Sequence, residues 1–227
     1  MKRGNRLFPF ILILIVSLGF HGSLKAQGLA AADEARYQRF SRGINLPYWF
    51  WLNRAPLRPL EMVYSDKDLE LIRKLGLTYV RVPVDMANIY DPDREDLLQP
   101  EALDLLLSGL RKIINSGLAV NFDLHSISQQ AGGSDYSGPL GKDPAFTERF
   151  YVFWERLARK LADFDPDWLI VEPMNEPVCL GEEDRWPPLQ KQLIARIRAV
   201  LPRHTILATG AFWSNLSTLL TLEPLAD

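Results

Sequence analysis

The chain has 227 residues, 47% hydrophobic and 24% charged, with a formal net charge of −2, which describes one soluble globular domain with a sizeable core. Its single cysteine, Cys179, excludes an internal disulfide, so the fold must hold by packing alone. No Cys/His spacing suits zinc.

Lys2, Arg3 and Arg6 precede a run from Leu7 to Phe20 that carries no charge, and small or polar residues follow as far as Ala26 and Gln27. That is the layout of a secretory signal peptide over residues 1–26, and the run is short for a membrane span; an uncleaved anchor is the alternative. The mature domain would then be residues 27–227, secreted or periplasmic. Loss of Lys2, Arg3, Arg6 and Lys25 would leave 22 basic against 28 acidic residues, a net charge of −6. A mildly acidic exported product argues against nucleic acid and anionic membranes as partners.

Residues 33–40 are charged and read as helical or irregular. Residues 42–46 read as a first strand, followed by Pro47-Tyr48-Trp49-Phe50-Trp51. A loop so rich in aromatics suits stacking on sugar rings, whose C–H faces are apolar; a hydrophobic plug over a barrel end is the competing use. Ser65 and Asp68 mark a capped helix start, Leu69, Ile72 and Leu75 form its apolar stripe, and Gly76 stops it. Residues 77–83 make a second strand, residues 85–100 a polar loop, and residues 101–116 a helix closed by Gly117.

A third strand covers residues 118–125, ending in Asp123-Leu124-His125, and a loop rich in Gly and Ser runs from Ser126 to Lys142. After a helix over residues 144–162, the apolar run Trp168-Leu169-Ile170 leads into Val171-Glu172-Pro173-Met174-Asn175-Glu176-Pro177. Side chains alternate along a strand, so Asn175 and Glu176 can share one pocket only where the chain is kinked, and a bulge is the usual device. Glu176 is the candidate proton donor. A helix over residues 188–201, with Leu189, Leu193, Ile197 and Val200 inward, precedes a fifth strand at 205–210, then Phe212-Trp213 and a helical piece from Asn215.

Five strands alternating with helices imply a parallel sheet with right-handed crossovers. No Gly-x-Gly-x-x-Gly follows the first strand, so a dinucleotide site has no support and no cofactor is expected. Polar or aromatic residues stand at the carboxyl ends of all five strands, which favours a TIM (β/α)8 barrel over an open sheet with one switch point. A complete barrel takes about 250 residues. About five βα units already fill this chain, so the barrel is expected to be incomplete.

With Arg81, His125 and Asn175-Glu176 in place, residues 42–225 resemble the glycoside hydrolases of the cellulase family 5, a retaining (β/α)8-barrel clan. The pieces are Arg42-Gly43-Ile44-Asn45, Val80-Arg81-Val82-Pro83, Asp123-Leu124-His125, Glu172 to Pro177, and Trp213. The resemblance implies that Glu176 is the acid/base, that Asn175 bonds the sugar 2-hydroxyl, and that Arg81 lies beneath the pocket holding a nucleophilic carboxylate ionised. His125 would bond substrate hydroxyls, with Trp49, Trp51 and Trp213 as sugar-binding aromatics. Without the family, Arg81 reads as a structural ion pair with Asp123 or Glu172, and Glu172 as an interior packing residue. His125 reads as a loop histidine or, with Asp123, as half of a metal seat, although His21 lies in the leader and His204 before the fifth strand, so no metal is expected.

In the family the attacking Glu ends the seventh strand, and this sequence reaches Asp227 before a sixth. The nucleophile is therefore absent from the chain, which reads as the N-terminal part of a longer secreted β-glycan hydrolase of endo-β-1,4-glucanase type, inactive or very slow alone. A polysaccharide or oligosaccharide is the expected partner. A non-catalytic carbohydrate-binding protein is the alternative from another class, and nothing in the sequence sets the oligomeric state.

Overall fold

A computed structural model of the chain describes residues 31–51, 56–126, 139–179 and 181–223. The expected leader over residues 1–26 and most of the Gly- and Ser-rich loop, residues 127–138, lie outside them. The elements are α1 (Ala31–Arg39), β1 (Gly43–Asn45), α2 (Asp66–Lys74), β2 (Tyr79–Asp85), α3 (Met86–Ile89), α4 (Pro100–Asn115), β3 (Ala119–Ser126), α5 (Pro144–Leu161), β4 (Leu169–Glu172), α6 (Trp186–Val200), α7 (Ala211–Ser214) and α8 (Leu216–Leu219). None of the described helices is long and apolar enough to cross a membrane.

Local chemistry sets the boundaries. At the start of α2 the Ser65 hydroxyl accepts from the Asp68 N–H while the Asp68 carboxylate accepts from the Ser65 N–H, a reciprocal cap. Gly76 and Gly117, just past α2 and α4, sit at φ +79° and +87°, a conformation that costs other residues about 1–2 kcal/mol. Leu75, expected in the buried stripe of α2, is exposed instead because the helix ends one residue earlier and Leu75 turns outward as its C-cap.

The four strands pair in parallel in the order β1-β2-β3-β4, as successive βα crossovers require. One face of the sheet is apolar: Val80, Val82, Val84, Val120, Phe122, Leu124, Leu169 and Val171 are fully buried. Against that core lie Leu106, Leu110 and Ile113 of α4, Phe153, Trp154 and Leu157 of α5, and Leu193 and Ile197 of α6. Side chains on the alternate positions point the other way.

The fifth strand is shorter than the sequence suggests. Only a single bridge, Val171 with Ile206, joins the 205–207 segment to β4, with Val171 N–H donating to Thr205 O at 3.0 Å and Leu207 N–H to Val171 O at 2.8 Å. The ladder stops at Pro173, which has no N–H to give the Leu207 carbonyl, and α6 takes the Thr209 groups beyond it. Gln190 accepts from the Thr209 N–H at 2.7 Å, and Gln190 and Trp186 both donate to the Thr209 carbonyl.

Trp49 is part of this core. Its ring is fully buried, its Nε1 donates to Arg58 O at 2.9 Å, and it lies so close over Gly109 of α4 that a Cβ there would stand 2.2 Å from the indole. The expectation that Trp49 stacks on sugar is therefore corrected. Bulk decides it: a large apolar ring that finds a glycine-floored slot gains more by leaving water than by lining a groove.

Candidate active site

The sheet's second face carries polar residues in adjacent registers. Asn45 pairs with Arg81 and Arg81 with Asn121, and one level further along Asp123 pairs with Glu172. Strand alternation alone puts these side chains together.

Arg81 is the hub. Its Nε and Nη2 hold both oxygens of Glu172 at 2.8 and 2.7 Å, and Nη2 also lies 3.0 Å from Asp123 Oδ2 and 2.6 Å from Asn175 Oδ1. Nη1 makes only a 3.4 Å bond to Asn45. Asn121 adds a 2.9 Å bond to Glu172. Burial pulls the guanidinium's pKa down, but Glu172, Asp123 and Glu176 more than offset it, so the group is held above its ordinary value. Arg81 is thus a structural ion pair with Glu172 and with Asp123, and it also holds the Asn175 amide oxygen.

Asp123 is fully buried and shares its Oδ2 between Arg81 and His125 Nδ1, at 3.0 and 2.6 Å. A carboxylate at Nδ1 makes that nitrogen the donor, so Nε2 carries the lone pair. Nε2 faces the Asn175 amide nitrogen at 3.5 Å, and Arg81 on Oδ1 fixes which way that amide points. The register between β2 and β3 slips between Val84 and Asp85, leaving His125 as the extra residue of a bulge. The bulge thus belongs to β3. On the fourth strand the kink comes from the ladder ending at Glu172, with the Asn175 N–H returning to Leu124 O at 3.1 Å.

Trp51 packs against His125 with ring centroids 4.0 Å apart and planes tilted by 56°, and remains partly exposed. Trp213 is 40% exposed on α7, where Phe212, Trp213 and Ser214 all have positive φ. Each such residue costs about 1–3 kcal/mol, so neighbouring contacts must hold the turn. Phe212 N–H donates to Val178 O at 3.2 Å, and the Ser214 hydroxyl to Asn175 O at 2.6 Å. The Trp213 turn is thereby stitched to the loop that carries Asn175 and Glu176. Glu176 is half-buried at the rim and close enough for its charge to act on Arg81. Of the residues singled out by sequence, the structure brings Arg81, His125, Asn175, Glu176 and Trp51 together, ties Trp213 in through its turn, and places Trp49 elsewhere.

Burial pushes the Asp123 carboxyl up from 3.8 to about 6; the His125 bond opposes the rise, Glu172's charge adds to it, and Arg81 lowers it. An acid that titrates higher when folded contributes stability that is complete below pH 3.8 and lost as pH rises through 6. Asp123→Asn removes that titration. The melting temperature of the variant relative to the parent is therefore expected to move in the variant's favour between pH 4 and pH 7, read by thermal melts in one buffer series. A relative shift in the opposite direction would show that Asp123 titrates as a lowered acid.

Among the described residues no group of three or more His, Cys, Asp or Glu could hold a metal ion. The polar cluster at the carboxyl ends of parallel strands, backed by helices on the other face, is the layout of a (β/α)-barrel enzyme, here with part of its barrel. Residues 35–226 match the family model described as cellulase (glycosyl hydrolase family 5), and the chain belongs to that family. It is 22% identical to Endoglucanase 3 of Fibrobacter succinogenes over 207 residues, 86% of this chain and 30% of that protein. It is 30% identical to the probable glucan 1,3-beta-glucosidase A of Emericella nidulans over 156 residues, 65% of this chain and 38% of that protein. The chain thus spans about a third of the length of these two relatives. Among solved structures it shares the fold of Thermotoga maritima Cel5A, with a TM-score of 0.65 at 24% identity over 83% of this chain and 57% of that one. A hyperthermophilic endo-beta-1,4-glucanase solved with substrate gives a TM-score of 0.68 at 21% identity, covering 86% and 59% of the two chains.

Proposed function

We propose that this chain is the substrate-binding and proton-donating part of a secreted retaining hydrolase of β-linked glucans, of β-1,4-glucanase type, with Glu176 as the acid/base. The observation that carries this is the Arg81 network, which orients Asn175 and His125 beside the half-buried Glu176. A sugar hydroxyl entering between the two would replace the long 3.5 Å contact from Asn175 Nδ2 to His125 Nε2, accepting from the amide and donating to the imidazole nitrogen, while Arg81 keeps Asn175 Oδ1. Trp51, fixed against His125, supplies an apolar face for a pyranose ring. Glu176 then protonates the departing glycosidic oxygen and later takes a proton from the incoming water. Cellobiose and mannotriose complexes of Thermotoga maritima Cel5A support a β-linked oligosaccharide as the ligand.

Retention needs a second carboxylate about 5 Å from the first. Glu172 and Asp123 are both committed to Arg81, and the least engaged donor, Nη1, marks where another carboxylate would be held. The 227-residue chain alone is therefore expected to bind cellotetraose without cleaving it. Calorimetric titration should show affinity within about threefold of the parent for Glu176→Gln, and about tenfold weaker for His125→Ala, the worth of one good hydrogen bond. Unchanged affinity in His125→Ala would remove the groove from this face. Glu176-dependent release of reducing sugar by the chain alone would show that a nucleophile is already present.

A further inference from the structure

At the opposite end of the strands from Glu176 lies a cavity of about 550 Å³ whose walls include Arg39, Arg42, Arg73 and Lys74 but only one acid, Glu70. Although the whole chain carries a net −2, these five side chains sum to +3. Glu70 is taken by Lys74 at 2.7 Å, in an i,i+4 pair on α2. Arg39 lies over the Trp168 ring and donates to the Asp167 carbonyl, and its charge also acts on the Asp167 carboxylate, which is paired with Arg36. Arg42 and Arg73 have no carboxylate partner among the described residues.

Both side chains are exposed, and their placement is set by the segments that carry them. The Arg42 backbone is fixed by three bonds from Thr78 and Tyr79 to its carbonyl, and its Nη1 would stand 3.8 Å from a Cβ at Gly76. Arg73 lies flat on Gly117, where a Cβ would stand 3.3 Å from its Cζ. Helix C-termini attract cations, and α2 and α4 both end at this cavity. Two such ends supply roughly one negative charge between them. A positive surplus is left over, carried mainly by Arg42 and Arg73, in a concave space with two planar forks that match tetrahedral oxygens.

We infer that this cavity is a binding site for a tetrahedral phosphate or sulfate oxyanion, free or esterified on a saccharide. The test is calorimetric titration of the full chain with inorganic phosphate, inorganic sulfate and glucose 6-phosphate, against chloride at matched ionic strength. Binding by at least one of the three, weakened tenfold or more in Arg42→Gln/Arg73→Gln, is the expected result. Tighter binding of the ester than of inorganic phosphate would assign the esterified source, and the reverse order the free ion; both support the site. Should the double glutamine variant fail to fold, Arg42→Lys/Arg73→Lys keeps the charge and loses the forks, and affinity should then fall severalfold. Heat no greater than that of chloride, or affinity unchanged in the variants, overturns the inference.

Discussion

Arg81→Met is expected to lower the unfolding free energy by about 3–5 kcal/mol, the cost of removing one partner from a buried ion pair while its carboxylates stay behind. Two acids depend on this one cation, Glu172 through both of its oxygens and Asp123 at 3.0 Å. A methionine fills a similar volume but donates nothing, so both carboxylates would have to ionise uncompensated or keep their protons. Because Arg81 lowers the Asp123 pKa, that acid should titrate above about 6 in the variant, and the deficit should widen as pH rises past this value. Urea unfolding followed by tryptophan fluorescence at pH 5 and pH 8 measures both effects. A deficit below about 1 kcal/mol at both values would mean that the network is solvated like a surface pair.

Trp49→Ala should cost a comparable amount, about 3–5 kcal/mol, by removing a large buried ring and leaving a void between α4 and the segment near Leu60. The same substitution at Trp213, 40% exposed and packed on Phe212, should cost clearly less, about 1 kcal/mol. The contrast separates a core plug from a half-exposed aromatic, two roles that residue type alone does not distinguish. Gly109 gives an independent check. Gly109→Ala gains about 1 kcal/mol of helix propensity but drives a methyl into the indole, and the net is expected to be destabilising by about 1–3 kcal/mol. Combined with Trp49→Ala, the clash disappears and the alanine should become neutral or favourable. Equal effects of Gly109→Ala in both backgrounds would mean that the ring does not rest on that helix.

The site owes its compactness to a simple arrangement. Parallel strands in register place every second residue on one face, so Asn45, Arg81, Asn121, Asp123 and Glu172 are neighbours although up to 127 positions apart in the chain. The helices cover the other face and leave this one to polar chemistry. Loops then add what strands cannot. The bulge at His125 and the end of the β4 ladder bring a histidine, an amide and a carboxylic acid to one rim.

Much of this could be read from the residues. The alternation of Asn121, Asp123 and His125 with Val120, Phe122 and Leu124 already signals a strand with one polar inner face. Nothing in the sequence marks Asn121 as a partner of Glu172, because one strand's pattern does not say which strand lies beside it. Ser214 carries no local signal either: its hydroxyl matters only through a backbone carbonyl 39 residues earlier.

The sequence by itself determined the cap of α2, the glycine stops, and the order of strands and helices, since each depends on contacts within a few positions or on strand period. Only the tertiary structure decided that Trp49 fills the core while Trp51 packs on His125, that α6 claims the backbone of Thr209 beyond the single bridge of the fifth strand, and that one arginine serves two acids and an amide at once. Those outcomes turn on distances between segments remote in the chain, where burial and hydrogen bonding compete for the same groups and no local pattern records which prevails.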